Sequence, residues 1–166
     1  MAGLSEEQIA EAAKNWLHSP HIRFLDNFLI RRGMAKYFDE LKSHAVVEIG
    51  PGNNQVTEYV ACKEYTAAKG SFPNDGLSVL RKMPDNSAVV VSFGVFDDST
   101  LNPFEKGINL RYAEELAEEV KRVMMPFSII IGSEAKKYLG KPDIFYEWDR
   151  FGGVYFRKPI ICEAAR

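Results

Sequence analysis

The residues best suited to chemistry form a glycine-rich turn, Gly50-Pro51-Gly52, in the first half of the chain. The turn directly follows a short apolar run over 45–49, which is rich in β-branched residues. A strand that ends in Gly-x-Gly lets the backbone turn tightly and approach a ligand without Cβ atoms in the way. Glu48 adds a carboxylate on the strand, two positions before the first glycine. The pattern predicts a small-molecule site at the end of this strand.

A second chemical feature is the acidic pair Asp97-Asp98, which follows another apolar run over 88–93. Ligands of open α/β sheets bind at the carboxyl ends of the strands, where this pair would lie. A carboxylate in that place could orient or deprotonate a nucleophile. The alternative interpretation is a solvated loop or a helix cap.

The elements that must position these residues follow from the hydrophobic pattern. Residues 1–43 are predicted to form a helical leader, whose first helix begins with a capping box between Ser5 and Gln8. The later strands are predicted at 45–49, 65–68, 88–93 and 127–132, with a hairpin of 144–148 and 154–156, and the later helices at 54–62, 77–83 and 109–124. In the last helix, Glu118 and Arg122 have the i,i+4 spacing of an ion pair.

Continuous apolar strands that alternate with amphipathic helices predict a parallel sheet covered on both faces. The aromatic hairpin near the C-terminus predicts an antiparallel edge on that sheet. We therefore expect one α/β domain over 1–166, made of the leader 1–43 and a core over 44–166.

The segment 46–58 resembles motif I of the class I S-adenosylmethionine-dependent methyltransferases, in its E-x-G-x-G-x-G form. Glu48, Gly50 and Gly52 match the motif. Asn54 replaces the third glycine, and asparagine is among the few other residues that tolerate a positive φ. In that family the glycine turn lies under the methionine part of the cofactor, and the acidic residue helps to position its amino group. The resemblance implies S-adenosylmethionine as cofactor and S-adenosylhomocysteine as product.

The resemblance extends along most of the chain. Residues 84–96 look like motif IV and its approach, and 109–132 look like the family's next helix and fifth strand. The final hairpin is similar to its sixth and seventh strands, of which the last is antiparallel. The implied fold is a Rossmann-like methyltransferase sheet, mostly parallel, with a C-terminal antiparallel hairpin and about one βα unit fewer. The implied cofactor-binding residues are Glu48, Gly50, Pro51, Gly52, Asn53, Asn54, Lys69, Asp75, Ser92 and Phe93, and the implied catalytic residues are Asp97 and Asp98.

Two departures from the family lie in the half of the site that would bind adenosine. The family has an acidic residue at the end of its second strand, whereas the strand 65–68 is followed by Lys69. Only one strand is found between motifs I and IV, where the family has two. Either a βα unit has been lost, or 65–68 corresponds to the third strand, and Asp75 is then the nearest candidate for the adenine amino group.

The departures motivate an alternative function, a catalytically inactive methyltransferase fold that serves as a binding or assembly module. A third hypothesis, a dinucleotide-dependent oxidoreductase, requires a G-x-G-x-x-G pattern, but Gln55 occupies the place of its third glycine. The methyl acceptor stays open, because acceptor choice in the methyltransferases lies in variable loops and added segments.

Composition narrows the partners further. Lys+Arg 21 against Asp+Glu 23 gives a net charge of −2, which does not indicate nucleic-acid binding. The N-terminus does not resemble a signal peptide, and no apolar run is long enough for a membrane span, so we expect a cytoplasmic protein that binds no membrane. The histidines and cysteines have no metal-ligand spacing. The leader is expected to pack on the sheet, or alternatively to mediate a homodimer.

Overall fold

The computed structural model describes residues 3–17, 41–51, 56–58, 60–93, 95–96, 107–126, 128–131, 135–140, 144–148 and 152–156. The strands are β1 (Ala45–Ile49), β2 (Glu64–Ala68), β3 (Val89–Phe93), β4 (Ile129–Ile131), β5 (Ile144–Trp148) and β6 (Gly152–Phe156). The helices are α1 (Glu6–Leu17), α2 (Gly76–Arg81), α3 (Ile108–Val123) and α4 (Ala135–Leu139), and a 3-10 turn spans Val56–Glu58.

The six strands form one sheet in the order β2-β1-β3-β4-β6-β5. β1 to β4 are mutually parallel, and β6 is antiparallel to both β4 and β5. These pairings confirm an α/β fold with a four-stranded parallel sheet and an antiparallel hairpin, compatible with a Rossmann-like arrangement. The chain passes from β1 outward to β2 and then returns across β1 to β3, so the strand order reverses at β1.

The main hydrophobic core lies on the sheet face that α2 and α3 cover. Alternation along β1 directs Val47 and Ile49 to this face, and both are buried. α3 forms as predicted because one of its faces is apolar along its whole length. The side chains that complete the cluster from α2 and α3 are Leu77, Leu80, Tyr112, Ala113, Leu116, Ala117, Val120 and Val123.

The start of the leader packs on the same side of the molecule. The capping box is confirmed, since Ser5 N donates to Gln8 Oε1 at 3.0 Å and Gln8 N donates to Ser5 Oγ at 3.3 Å. Leu4, Ile9 and Ala12 join the core cluster. The expectation for the rest of the leader, residues 18–40, lies outside the described residues. None of the described helices combines the length and the apolar character that crossing a membrane requires.

Two local predictions are wrong. Within the helix expected over 54–62, the described residues Val56–Glu58 form a 3-10 turn, and residues 60–62 are not helical. This segment is rich in β-branched residues, which favour helices weakly. The expected pair of Glu118 with Arg122 does not form, because Arg122 instead binds Glu119 and Asp85.

Candidate functional site

The glycine turn lies at the carboxyl end of β1, where the strand order reverses. Gly50 has a φ of 62°, a backbone conformation that favours glycine. Its N–H donates to the carbonyl of Ala68 at 3.0 Å, which ties the start of the turn to the end of β2. A Cβ at position 50 would lie 2.8 Å from Cγ2 of Val95, just beyond β3. Gly50 therefore brings the ends of three strands close together.

Glu48 is fully buried on β1 and binds two segments that follow the turn. Its Oε2 accepts a hydrogen bond from Val56 N at 2.9 Å and another from the Tyr65 hydroxyl at 2.7 Å. The carboxylate thus joins β1, β2 and the 3-10 turn that follows the glycines. Burial and the nearby charge of Glu48 raise the pKa of the Cys62 thiol above its ordinary 9.0. Because only the thiolate is a good nucleophile, this shift makes Cys62 less reactive than an ordinary exposed thiol.

Asp75 is fully buried at the start of α2 and serves as its N-cap. Its Oδ1 accepts hydrogen bonds from Ser78 N at 3.1 Å and from the Tyr112 hydroxyl of α3 at 2.8 Å. Leu77 N donates to the same hydroxyl at 3.4 Å, so the three residues form one network. The other oxygen, Oδ2, is also buried and has no hydrogen-bond partner among the described residues.

Tyr112 is the site residue that the sequence analysis missed. Its side chain is only 2% exposed, and its hydroxyl is the group of α3 that contacts Asp75. Burial, together with the charge of Asp75 and the hydrogen bond to it, raises the pKa of Tyr112 well above its ordinary 10.0. Tyr112 precedes Leu116 by four positions on the apolar face, so the sequence signal was that of an ordinary core residue.

Close packing brings Asp75 to the glycine turn. A Cβ on Gly76 would lie 3.0 Å from Cγ2 of Ile49 and 3.1 Å from Cδ1 of Leu116, so α2 begins directly against the end of β1. Ser92 is the β3 partner of Ile49 and faces the same side of the sheet. The Ser92 hydroxyl is fully buried and, within the described residues, has no hydrogen-bond partner.

The structure describes some of the other predicted site residues but not all of them. Pro51 is buried after the turn, and Lys69 is exposed at the end of β2. Phe93 closes β3, but its side chain is not among those described. Gly52, Asn53, Asn54, Asp97 and Asp98 lie outside the described residues. The described residues contain no cluster of histidine, cysteine, aspartate and glutamate side chains that could hold a metal ion.

The structure therefore brings Glu48, Gly50, Asp75 and Ser92 to the carboxyl ends of the strands. Glu48 and Ser92 lie on opposite faces of the sheet, and Gly50 lies between them at the carboxyl end of β1. Buried acceptor and hydroxyl groups around a glycine turn can recognise a ligand that carries hydrogen-bond donors. The chain matches no protein-family model, no curated protein and no solved structure.

Proposed function

We propose that this protein is methyltransferase-like and binds S-adenosylmethionine and S-adenosylhomocysteine at the carboxyl edge of its parallel sheet. The observation that carries the proposal is the position of Gly50. Its turn lies at the point where the strand order reverses, which is where open α/β sheets bind their ligands. The match of Glu48 and Gly50 to motif I then favours S-adenosylmethionine over other nucleotide-like ligands.

The α/β fold with its four-stranded parallel sheet supports this proposal. In the methyltransferase interpretation, the six strands correspond to the family's seven-stranded sheet with one βα unit lost, and the antiparallel β6 corresponds to its reversed last strand. Whichever strand was lost, β2 is the neighbour of β1, and Lys69 directly follows the last residue of β2.

The proposed chemistry is transfer of the activated methyl group to a substrate nucleophile. Binding would hold the two reactants in line, so proximity and orientation would supply most of the rate enhancement. Asp97 or Asp98 would act as the base that takes the proton of the nucleophile. Asp75, with a buried oxygen that lacks a described partner, would accept a hydrogen bond from the adenine amino group.

Calorimetric titration with each ligand tests the proposal, and Gly50→Ala supplies a specific variant. Alanine at a positive φ is strained, and its Cβ would press on Val95, so the turn must shift. We expect micromolar binding of S-adenosylhomocysteine by the unaltered protein and a Kd at least about tenfold higher for Gly50→Ala. Urea unfolding checks that the variant is folded.

The double variant Gly50→Ala, Val95→Ala is the matched control. It removes the contact at 2.8 Å but keeps the strained φ, so it should recover part of the lost affinity. Absence of any heat with either ligand at millimolar concentration, from folded protein, would contradict cofactor binding.

A binding or assembly module without catalysis is the second candidate function. It is favoured by the exposed Lys69, a cation where the family has an acidic residue, and by the engagement of Glu48 Oε2 with Val56 and Tyr65. A folded protein that binds neither S-adenosylmethionine nor S-adenosylhomocysteine would support this function over the first.

A further inference from the structure

β2 is the outermost strand on one side of the sheet. It pairs with β1 along one edge, and no described strand lies along its other edge. The carbonyl of Ala68 points toward β1, since it accepts from Gly50 N. Backbone groups alternate along a strand, so the N–H and carbonyl of Ala67 point to the outer edge. The strand begins with the exposed Glu64, and its other residues, 65–68, have no proline or charge of the kind that usually protects such an edge.

A groove runs beside β2, between the sheet and the C-terminal part of α2. Its cavity volume is about 490 Å³, within the range of binding pockets. Thr66 lines it from β2, and Pro73, Val79 and Met83 are among the apolar residues on its walls. Phe72, next to Pro73, is 37% exposed and is the most exposed large apolar side chain of the described residues. The groove therefore places apolar side chains beside β2.

The charges around β2 define what the surface would attract. Lys63, Lys69 and Lys82 are exposed, and none of the three forms an ion pair with a described residue. Glu64 is the acidic residue of the strand. The surface is thus locally positive on a chain whose net charge is −2, and this favours an acidic partner.

A second copy of the chain fits this edge less well. Two β2 strands paired antiparallel around Thr66 would place Lys63 of each copy opposite Lys69 of the other. Like charges directly opposite each other destabilise a strand pair. An acidic strand meets no such repulsion from these lysines.

We propose that the outer edge of β2 and its groove bind an extended acidic segment of a partner protein, which joins the sheet as an added strand. Main-chain hydrogen bonds to Ala67 supply affinity, and alternate side chains of the segment supply specificity. Apolar side chains enter the groove near Met83, and the alternate carboxylates lie on the opposite face of the sheet, toward Lys63 and Lys69. This binding is independent of the proposed cofactor site, because it uses the outer edge of β2 and not the carboxyl ends of the strands.

The probe is a fluorescein-labelled six-residue peptide that alternates valine and glutamate, and the readout is fluorescence anisotropy. We expect the full chain to bind it with a Kd between about 1 μM and 1 mM. Ala67→Pro removes the outward N–H, a change that edge strands tolerate, and should raise the Kd at least about tenfold. Ala67→Ser keeps the N–H and is the matched control, with affinity close to that of the unaltered chain.

A second comparison tests the charges and does not depend on the proline variant being folded. Lys63→Glu should weaken binding of the valine–glutamate peptide, and a valine–lysine peptide should not bind the unaltered chain. S-adenosylhomocysteine titration should give the same result for Ala67→Pro and Ala67→Ser, so failure here is distinguishable from failure of the proposed cofactor site.

Any of the following results would overturn the proposal. The first is no binding of the valine–glutamate peptide by folded protein at about 1 mM. The second is equal binding by a folded Ala67→Pro, or a preference for the valine–lysine peptide. The third is a dimer in sedimentation that Ala67→Pro dissociates, which would make a second copy the occupant of this edge.

Discussion

α2 and α3 lie side by side and are joined by polar contacts at both ends, but the two ends differ. At the C-terminal end, the Arg122 guanidinium makes five hydrogen bonds, which include the carbonyls of Leu80 and Met83 at 2.8 Å each. At the N-terminal end, the Asp75 carboxylate binds Ser78 and Tyr112 through one oxygen and leaves the other oxygen without a described partner.

Burial makes the difference informative. The Arg122 side chain is 30% exposed, so water can replace its contacts, and all of its nitrogens already have acceptors. Asp75 is 0% exposed, and the Ser78 hydroxyl beside it also lacks a described partner. Folded proteins pair nearly all buried polar groups, so an unpaired group needs a reason. The contacts of Arg122 therefore have a structural role, whereas the end near Asp75 is the one at which we propose that a ligand binds.

The largest expected effect is that of Asp75→Ala. It removes the N-cap of α2 and leaves the Tyr112 hydroxyl buried without its acceptor. Loss of a cap costs about 1 kcal/mol and a buried unpaired group about 1–3 kcal/mol, so we expect the free energy of unfolding to fall by about 3 kcal/mol. Urea unfolding measures it, and Asp75→Asn, which keeps an acceptor oxygen, should lose less. If the free energy of unfolding fell less for Asp75→Ala than for Arg122→Met, the Asp75 end of the helix pair would not be the more sensitive of the two.

Tyr112→Phe should have the next largest effect, because it removes the hydroxyl that links Asp75 to Leu77. We expect a loss of about 1.5 kcal/mol at neutral pH, typical of a buried hydrogen bond to a charged group. In the double variant with Asp75→Ala, the loss should be smaller than the sum of the two single losses, since both residues belong to one network.

The pH dependence of stability gives Tyr112 a second signature. Its pKa in the folded state is raised, so its stabilising effect is fully present below its unfolded value near 10.0 and is lost as pH rises from there toward the folded value. The urea midpoint should therefore fall more steeply above pH 10 for the unaltered protein than for Tyr112→Phe. Parallel curves for the two proteins would show that Tyr112 titrates alike in both states.

The sequence predicts the main strands and the long helix because each of these elements depends on residues that are close together in the chain. The β-branched runs at 45–49 and 89–93, the apolar stripe of α3 and the Ser5–Gln8 capping box each act within a few residues. The parallel direction of the first strands and the reversal of the last strand followed from the change in pattern between them.

Contacts between distant segments could not be predicted in this way. The sequence predicts a pair of Arg122 with Glu118, but in the folded protein Arg122 donates to the carbonyls at the end of α2 and to the carboxylate of Asp85. Tyr112 looked like one more apolar residue, because its hydroxyl matters only once α2 lies beside α3. Within the candidate site, Glu48 and Gly50 were identified from a local motif, whereas their contacts to Tyr65 and Val95 depend on the assembled sheet.

Arg122→Met should have the smallest of the three effects. Methionine keeps much of the apolar stem but removes the donors to Leu80 and Met83. Because the Arg122 side chain is 30% exposed, water can enter in place of its guanidinium, and we expect a loss of about 1 kcal/mol at low salt. In urea unfolding at high salt the loss should shrink, since screening already weakens the ion pairs with Glu119 and Asp85. A loss that equals that of Asp75→Ala and is insensitive to salt would show that the two ends of the helix pair are alike, and the distinction between a structural contact and a proposed ligand site would fail.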